Sequence, residues 1–308
     1  MPGKGSVKPE RIGRGLIWAA GVAMVAWPLA VAGWSFAIEE GSIGMALPDI
    51  QSGGWEVTGS RADIRPSVTA DSDSATIEFD PSSVIMTDYL VYTGAEQPLK
   101  LNTLRTDLSN STVTLDYGAS GPWPERIAIN GDIAVAATRV EHPSLVPQAW
   151  NFEGRAEGRL ADLRVQGTLV SAAGLAADLD IQLNPDGGVS VAIESVIDGK
   201  QGARALAETL AGWPDLLTID SGNARLSMEV STGKGGELEA TGSAELKDVG
   251  GVFNRTAVSG LTGQVRGSLD DSRMTARFRD MTVGEINAGI PVSSVRFSGD
   301  YNAPVTEL

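Results

Sequence analysis

From Gly158 onward the chain is written almost entirely in a two-residue code. In "GRLADLRVQGTLV" the residues Leu163, Val165, Gly167 and Leu169 alternate with polar ones. In "GLAADLDIQL" the same holds for Leu175, Ala177, Leu179, Ile181 and Leu183, and in "VSVAI" for Val189, Val191 and Ile193. The turn signal "NPDGG" (Asn184–Gly188) separates the last two and predicts a hairpin. Further alternation runs through Leu226, Met228 and Val230, through Leu238, Ala240, Gly242, Ala244 and Leu246, and near Val258–Ser268. "RMTARFR" places Met274, Ala276 and Phe278 on one side, and Val295 and Phe297 follow after a Gly289-Ile290-Pro291 bend. Period two with one apolar side means a strand with one face that needs cover.

The segment before it has a looser version of the code. Trp55/Val57, Ile77/Phe79, Val113/Leu115/Tyr117 and Ile127/Ile129/Ile133/Val135 mark short strands cut by Pro66, Pro81 and Ser/Asp/Gly clusters. The stretch His142–Trp150, with Pro143 and Pro147, is expected to be a loop or crossing segment. One helix is expected near residues 200–212: "DGKQGARALAETLAGWPDLL" sets Ala203, Leu206, Ala207 and Leu210 on one face, and Gly212 and Pro214 end it. A single short helix cannot cover so many apolar strand faces. Two arrangements remain. The strands form a β-sandwich whose sheets seal each other, or one long curved antiparallel sheet forms an open groove whose apolar face meets lipid. Glycine at 37 of 308 residues suits either, since both need many turns.

The N-terminus constrains location. Lys4, Lys8, Arg11 and Arg14 form a basic flank over residues 1–14. An uncharged run over 15–38 follows, long enough to cross a bilayer at ~20 residues, with Trp18 and Trp34 near its ends. The expected arrangement is a single-pass anchor with the N-terminus cytoplasmic and the bulk of the chain beyond the membrane. "AVA" at Ala30–Ala32, after Pro28, supports the other possibility, a cleaved signal peptide. Both export the remainder, divided as an N-terminal β region (39–150) and a second β region (151–308).

Chemistry-bearing motifs are sparse, and no catalytic residue, metal site or cofactor is expected. His142 is the sole histidine and has no nucleophile framed beside it. "STGKGGEL" lacks the spacing and the Ser/Thr of a phosphate-binding loop. Asp71, Asp73, Glu78 and Asp80 lack the glycine and terminal Glu of a calcium loop. Cysteine is absent, and a net charge of −15 repels nucleic acid.

Three longer stretches carry a family likeness: "LAGWPDLLTIDSGNARLSMEV" (Leu210–Val230), "GGVFNRTAVSGLTGQVRGSL", and above all "VGEINAGIPVSSVRF" (Val283–Phe297). Over Leu206–Gly299 the chain resembles the YdbH-like proteins, within the AsmA-like group of envelope lipid-transfer proteins. The resemblance implies a protein anchored in the inner membrane of a Gram-negative envelope. Its periplasmic β-groove would assist phospholipid transport between inner and outer membranes. Partners would be phospholipid, the inner membrane, and an outer-membrane or periplasmic protein at an open sheet edge. Family members are usually longer, so this chain is expected to be an N-terminal or incomplete member. Groove lining is assigned to Val165, Leu179, Ile181, Val191, Ile193, Met228, Met274, Phe278, Val295 and Phe297. The alternative is an anchored periplasmic β-domain that scaffolds the envelope or binds a protein, with those residues sealed inside.

Overall fold

The computed structural model describes residues 36–38, 41–52, 54–92, 97–117, 124–185, 188–232, 238–269 and 273–304. Ten short strands come first: β1 (Phe36–Ile38), β2 (Ile43–Ala46), β3 (Ile50–Ser52), β4 (Trp55–Thr58), β5 (Arg61–Ile64), β6 (Pro66–Ala70), β7 (Ser74–Phe79), β8 (Val84–Tyr92), β9 (Leu99–Asp107) and β10 (Thr112–Tyr117). Two long strands follow, β11 (Pro124–His142) and β12 (Leu145–Arg159). Then come β13 (Arg164–Ser171), β14 (Ala176–Leu183), β15 (Val189–Asp198), helix α1 (Gly199–Thr209), β16 (Leu217–Thr232), β17 (Leu238–Phe253), β18 (Thr256–Leu269), β19 (Arg273–Asn287) and β20 (Pro291–Pro304). All pair antiparallel in one sheet.

From β11 to β20 the topology is a meander, each strand pairing with the next. On its other side β11 splits the sheet. Its first half, Pro124–Asn130, pairs with β10, which leads through β7 and β6 to β1. Its second half, Ala134–Glu141, pairs with β9, which leads to β8 and on to β4 and β5. The two arms close on each other. Ala62 and Ile64 of β5 pack with Val68 of β6, Ala75, Ile77 and Phe79 of β7, and Val113 and Leu115 of β10. Leu115 is 2% exposed and Ile77 3%. This end of the sheet is sealed as a sandwich would be. Leu115→Ala is expected to cost ~2–5 kcal/mol, read as a lower urea midpoint, because a filled core leaves a cavity when truncated.

Gly131 lies where β11 passes from one arm to the other. A Cβ there would overlap the Cα of Ser111, and the Ser111 hydroxyl donates to Asp132 O at 3.0 Å. Only a residue without a side chain lets the strands approach this closely.

Strands β16–β20 each carry at least one residue with positive φ: Gly222 (φ 86), Asp248 (φ 51), Gly260 (φ 68) with Gly263 (φ 154), Asp280 (φ 49) and Ser294 (φ 58). Register shifts accompany them in the β16–β17, β17–β18, β18–β19 and β19–β20 ladders. Bulges of this kind bend strands and increase twist, so a run of them across neighbouring strands curves the sheet.

Two sequence expectations need correction. Phe36–Ile38, counted as the end of the anchor, form β1 and pair with Val68–Ala70. The rest of the expected anchor, 15–35, lies outside the described residues, and no described helix is long and apolar enough to cross a membrane. Leu145–Trp150, expected as a loop, opens β12. Pro147 is tolerated because the β11 ladder is irregular there and β13 pairs only from Trp150 onward, so no ladder hydrogen bond needs its missing N–H.

Helix α1 connects β15 to β16 and packs against both and against β12. Ala203, Ala205 and Thr209 are its buried residues, so its packing face is rotated from the expected Ala203/Leu206/Ala207/Leu210 stripe. The Thr209 hydroxyl donates to Ala205 O at 2.7 Å and lies 3.2 Å from the Ser171 hydroxyl.

Candidate lipid-contacting face

Directly opposed residues of an antiparallel ladder point to the same side. The ladders of β12–β20 therefore sort the apolar residues into rows that cross the sheet. One row runs Ala156, Val165, Ile181, Val191, Val230, Ala240, Leu269, Met274, Ala303. The next runs Gly154, Gly167, Leu179, Ile193, Met228, Gly242, Gly267, Ala276, Tyr301. A third includes Phe152, Leu169 and Ala177, then Leu226, Ala244, Val265, Phe278 and Gly299. Nine strands at ~4.8 Å spacing give roughly 40 Å of apolar contour.

Seven of the ten expected lining residues fall in the first two rows, and Phe278 in the third. Val295 and Phe297 pair with Val283 and Met281. Phe278 and Met281 are three apart, a spacing that puts residues on opposite sides of a regular strand. The bulge between them cancels this, because their partners Gly299 and Phe297 are two apart. Met281 and Val283 thus belong to the same face and were missed by alternation alone. The Gly154/Gly167 cross-strand pair was missed as a pair too. The ring of Phe152 lies over it, with Cζ 2.6 Å from where a Gly154 Cβ would stand.

None of the ten residues is buried. Eight are half-buried, and Met228 and Phe297 are 42% and 47% exposed. The contrast with the sealed arms decides between the two sequence-level arrangements for this part of the chain: apart from Ala156 at one end, Ile197 against α1, and Met281, Val283 and Ala303 at the other end, which are buried, the sheet's apolar face is open. An aliphatic face this long and this accessible can take hydrocarbon anywhere along it, with no preference for one chemical group.

The opposite face carries the polar side chains, many of them paired with one another, with Val196 exposed among them. Arg164 makes a two-pronged contact with Asp180, whose carboxylate also accepts from Gln166 Nε2 at 3.0 Å. Thr168 donates to Asp178 at 2.7 Å, and Arg277 to Asp300 at 2.8 Å. The Arg164 hydrogen bonds hold the Asp180 carboxyl below its ordinary range, and those of Arg159 do the same for Asp162. Asp71, from the acidic turn singled out in the sequence, accepts from the amides of Asp73 and Ser74, both at 2.8 Å, which lowers its pKa. It closes a turn. His142 accepts from Ser144 N at 3.2 Å beside the β11–β12 turn. No group of three or more metal-ligating side chains occurs among the described residues.

Depressed carboxyls stabilise the fold above the unfolded value of ~3.9, and that contribution is lost as pH falls through the lower folded values. The urea midpoint is therefore expected to hold from neutral pH to about pH 5 and to fall below about pH 4.

The family described as "YdbH-like: Intermembrane phospholipid transport protein YdbH" matches residues 18–308. The chain belongs to the YdbH-like family. The match extends well beyond the Leu206–Gly299 stretch that carried the resemblance and takes in the sealed arms. No curated protein and no solved structure matches the chain. The family is one of phospholipid transport between membranes rather than an enzyme class, and an apolar open face is the kind of surface such a task needs.

Proposed function

We propose that this chain is a segment of a phospholipid conduit, with acyl chains lying on the apolar face of β12–β20 and headgroups left in water. The observation that carries this reading is the set of apolar rows that cross nine strands, buried at their ends in β12, β19 and β20 and left half-buried or exposed between. Moving a two-tailed lipid through water exposes its methylenes at roughly 0.8 kcal/mol each. A continuous apolar path offsets that cost at every step. The ten lining residues contact acyl chain in this reading. Leu16–Ser35 is the inner-membrane anchor, still matching the ~20 residues a span needs after Phe36–Ile38 join the sheet. The sheet then stands in the periplasm. The outer edge of β20 pairs with no other described strand and is where an outer-membrane or periplasmic partner would add one.

The test is phospholipid content. The full chain, extracted from membranes in an amphipathic polymer and purified, is expected to retain phospholipid at one or more molecules per chain by phosphorus assay. Retention no greater than that of an anchor-only control would contradict the proposal.

A further inference from the structure

The two ends of the meander strands differ in character. At one end the connections from β14 onward read Asn184–Gly188 "NPDGG", 233–237 "GKGGE" and 270–272 "DDS", all polar. At the other end three successive connections carry exposed apolar residues. Leu216, before β16, is 59% exposed. Phe253, at the β17–β18 tip, is 54% exposed. Ile290 and Val292, at the β19–β20 tip, are 79% and 54% exposed.

These residues are neighbours across the sheet. Leu217 opposes Phe253, and Asn254 N donates to Leu216 O at 3.2 Å. Ala257 opposes Asn287, which opposes Pro291. They also continue the apolar rows, since Val258, Ile286 and Val292 are successive cross-strand partners. Loop tips ordinarily carry polar residues, and an apolar patch that gathers on them marks a contact surface.

We infer that this lip of the sheet rests in the interfacial layer of a phospholipid bilayer, so that lipid reaches the apolar face sideways, over the lip. The inference deepens the proposed function and rests on it. Three features favour a bilayer over a protein partner. The exposed side chains lie in a line along successive turns, one or two to each turn, where a protein interface would have a broad packed patch with a hydrogen-bonding rim. Part of their backbone is already paired: Phe253 and Thr256 are ladder partners across the Asn254–Arg255 turn, Leu217 N donates to Pro214 O at 2.9 Å, Trp213 Nε1 donates to Leu217 O at 3.1 Å, and Gly289 N donates to Asn287 Oδ1 at 3.0 Å. Groups paired in this way can enter an apolar medium without being left unsatisfied. Finally, with Asp215 and Arg255 as the charged residues of these tips, charge attraction does not hold the lip itself to a membrane, so insertion of its apolar side chains must.

The test uses the cysteine-free full chain with single cysteines at positions 216, 253 or 290, or at 241 or 302 toward the polar end, each carrying an environment-sensitive fluorophore. The protein is reconstituted in phosphatidylcholine vesicles that contain lipid spin-labelled near the ester. Quenching roughly twofold or more is expected at the three lip positions and little at 241 and 302, as for side chains seated 5–10 Å into the interface. It should persist between about 0.1 M and 1 M salt, where charge attraction is screened away. The double variant Phe253→Glu/Ile290→Glu should lose the quenching at 216 while keeping its circular dichroism. Equal, weak quenching at all five positions overturns the inference. A label at Val191 separates it from the underlying reading. Quenching at 191 without quenching at the lip overturns the lip alone. Quenching at the lip without 191 supports the lip and removes the lipid-carrying face.

Discussion

Ile181→Asp, or Val191→Asp, is expected to empty the chain of co-purifying phospholipid while leaving it folded. The two residues are cross-strand partners in the middle of the longest apolar row, and both are half-buried. A carboxylate set among acyl chains finds no hydrogen-bond partner there and costs at least about 3 kcal/mol. That corresponds to roughly a hundredfold loss of occupancy. The cost to the fold is much smaller, within about 1 kcal/mol, because on an open face the carboxylate keeps its water when lipid leaves. Phosphorus per chain and the urea midpoint read the two effects separately. A large fall in the midpoint would mean that these residues are core and the face is closed.

Gly131→Val is expected to damage the fold itself. The position sits at the split of the sheet, against the backbone of Ser111, and no rotamer removes an overlap with a Cα. Overpacking in a filled interior costs ~3 kcal/mol when flexible atoms can yield, and here the yielding atoms are main chain. The expected result is a cooperative loss of the sealed arms, seen as early urea unfolding and rapid proteolysis within residues 41–117. Gly44→Ala, which meets nothing within 4 Å, is the matched control and should change stability by no more than about 0.5 kcal/mol.

Much of the open sheet could be read from residues alone, because each strand states its own face. Alternation through Val165, Leu179, Ile181, Val191, Ile193 and Met228 is local information, and the NPDGG turn ties two of those strands in register. What could not be read depends on distant partners. The closed arms arise from pairings such as β1 with β6 and β7 with β10, and from the packing of one arm on the other, none of which leaves a local signal. The short, Pro- and Asp-broken strands there looked like an irregular version of the same sheet. Bulges were invisible for a related reason. Asp280 and Ser294 adopt left-handed backbone without being glycine, so the parity change that brings Met281 onto the face has no glycine marker. Pro143 and Pro147 suggested a loop, whereas β12 begins at Leu145 where a neighbouring strand is missing.

The central claim is that phospholipid lies on one face of this sheet and not on the other. Site-specific photo-crosslinking in living cells tests it most directly, with the photoreactive residue at Val191, Phe278 or Val295, or at Glu194, Arg277 or Arg296 on the same strands. Phosphate-labelled lipid is expected on the full-length chain from the first three positions and not from the second three. Lipid captured equally from both sets, or from neither while other positions capture it, would contradict the account.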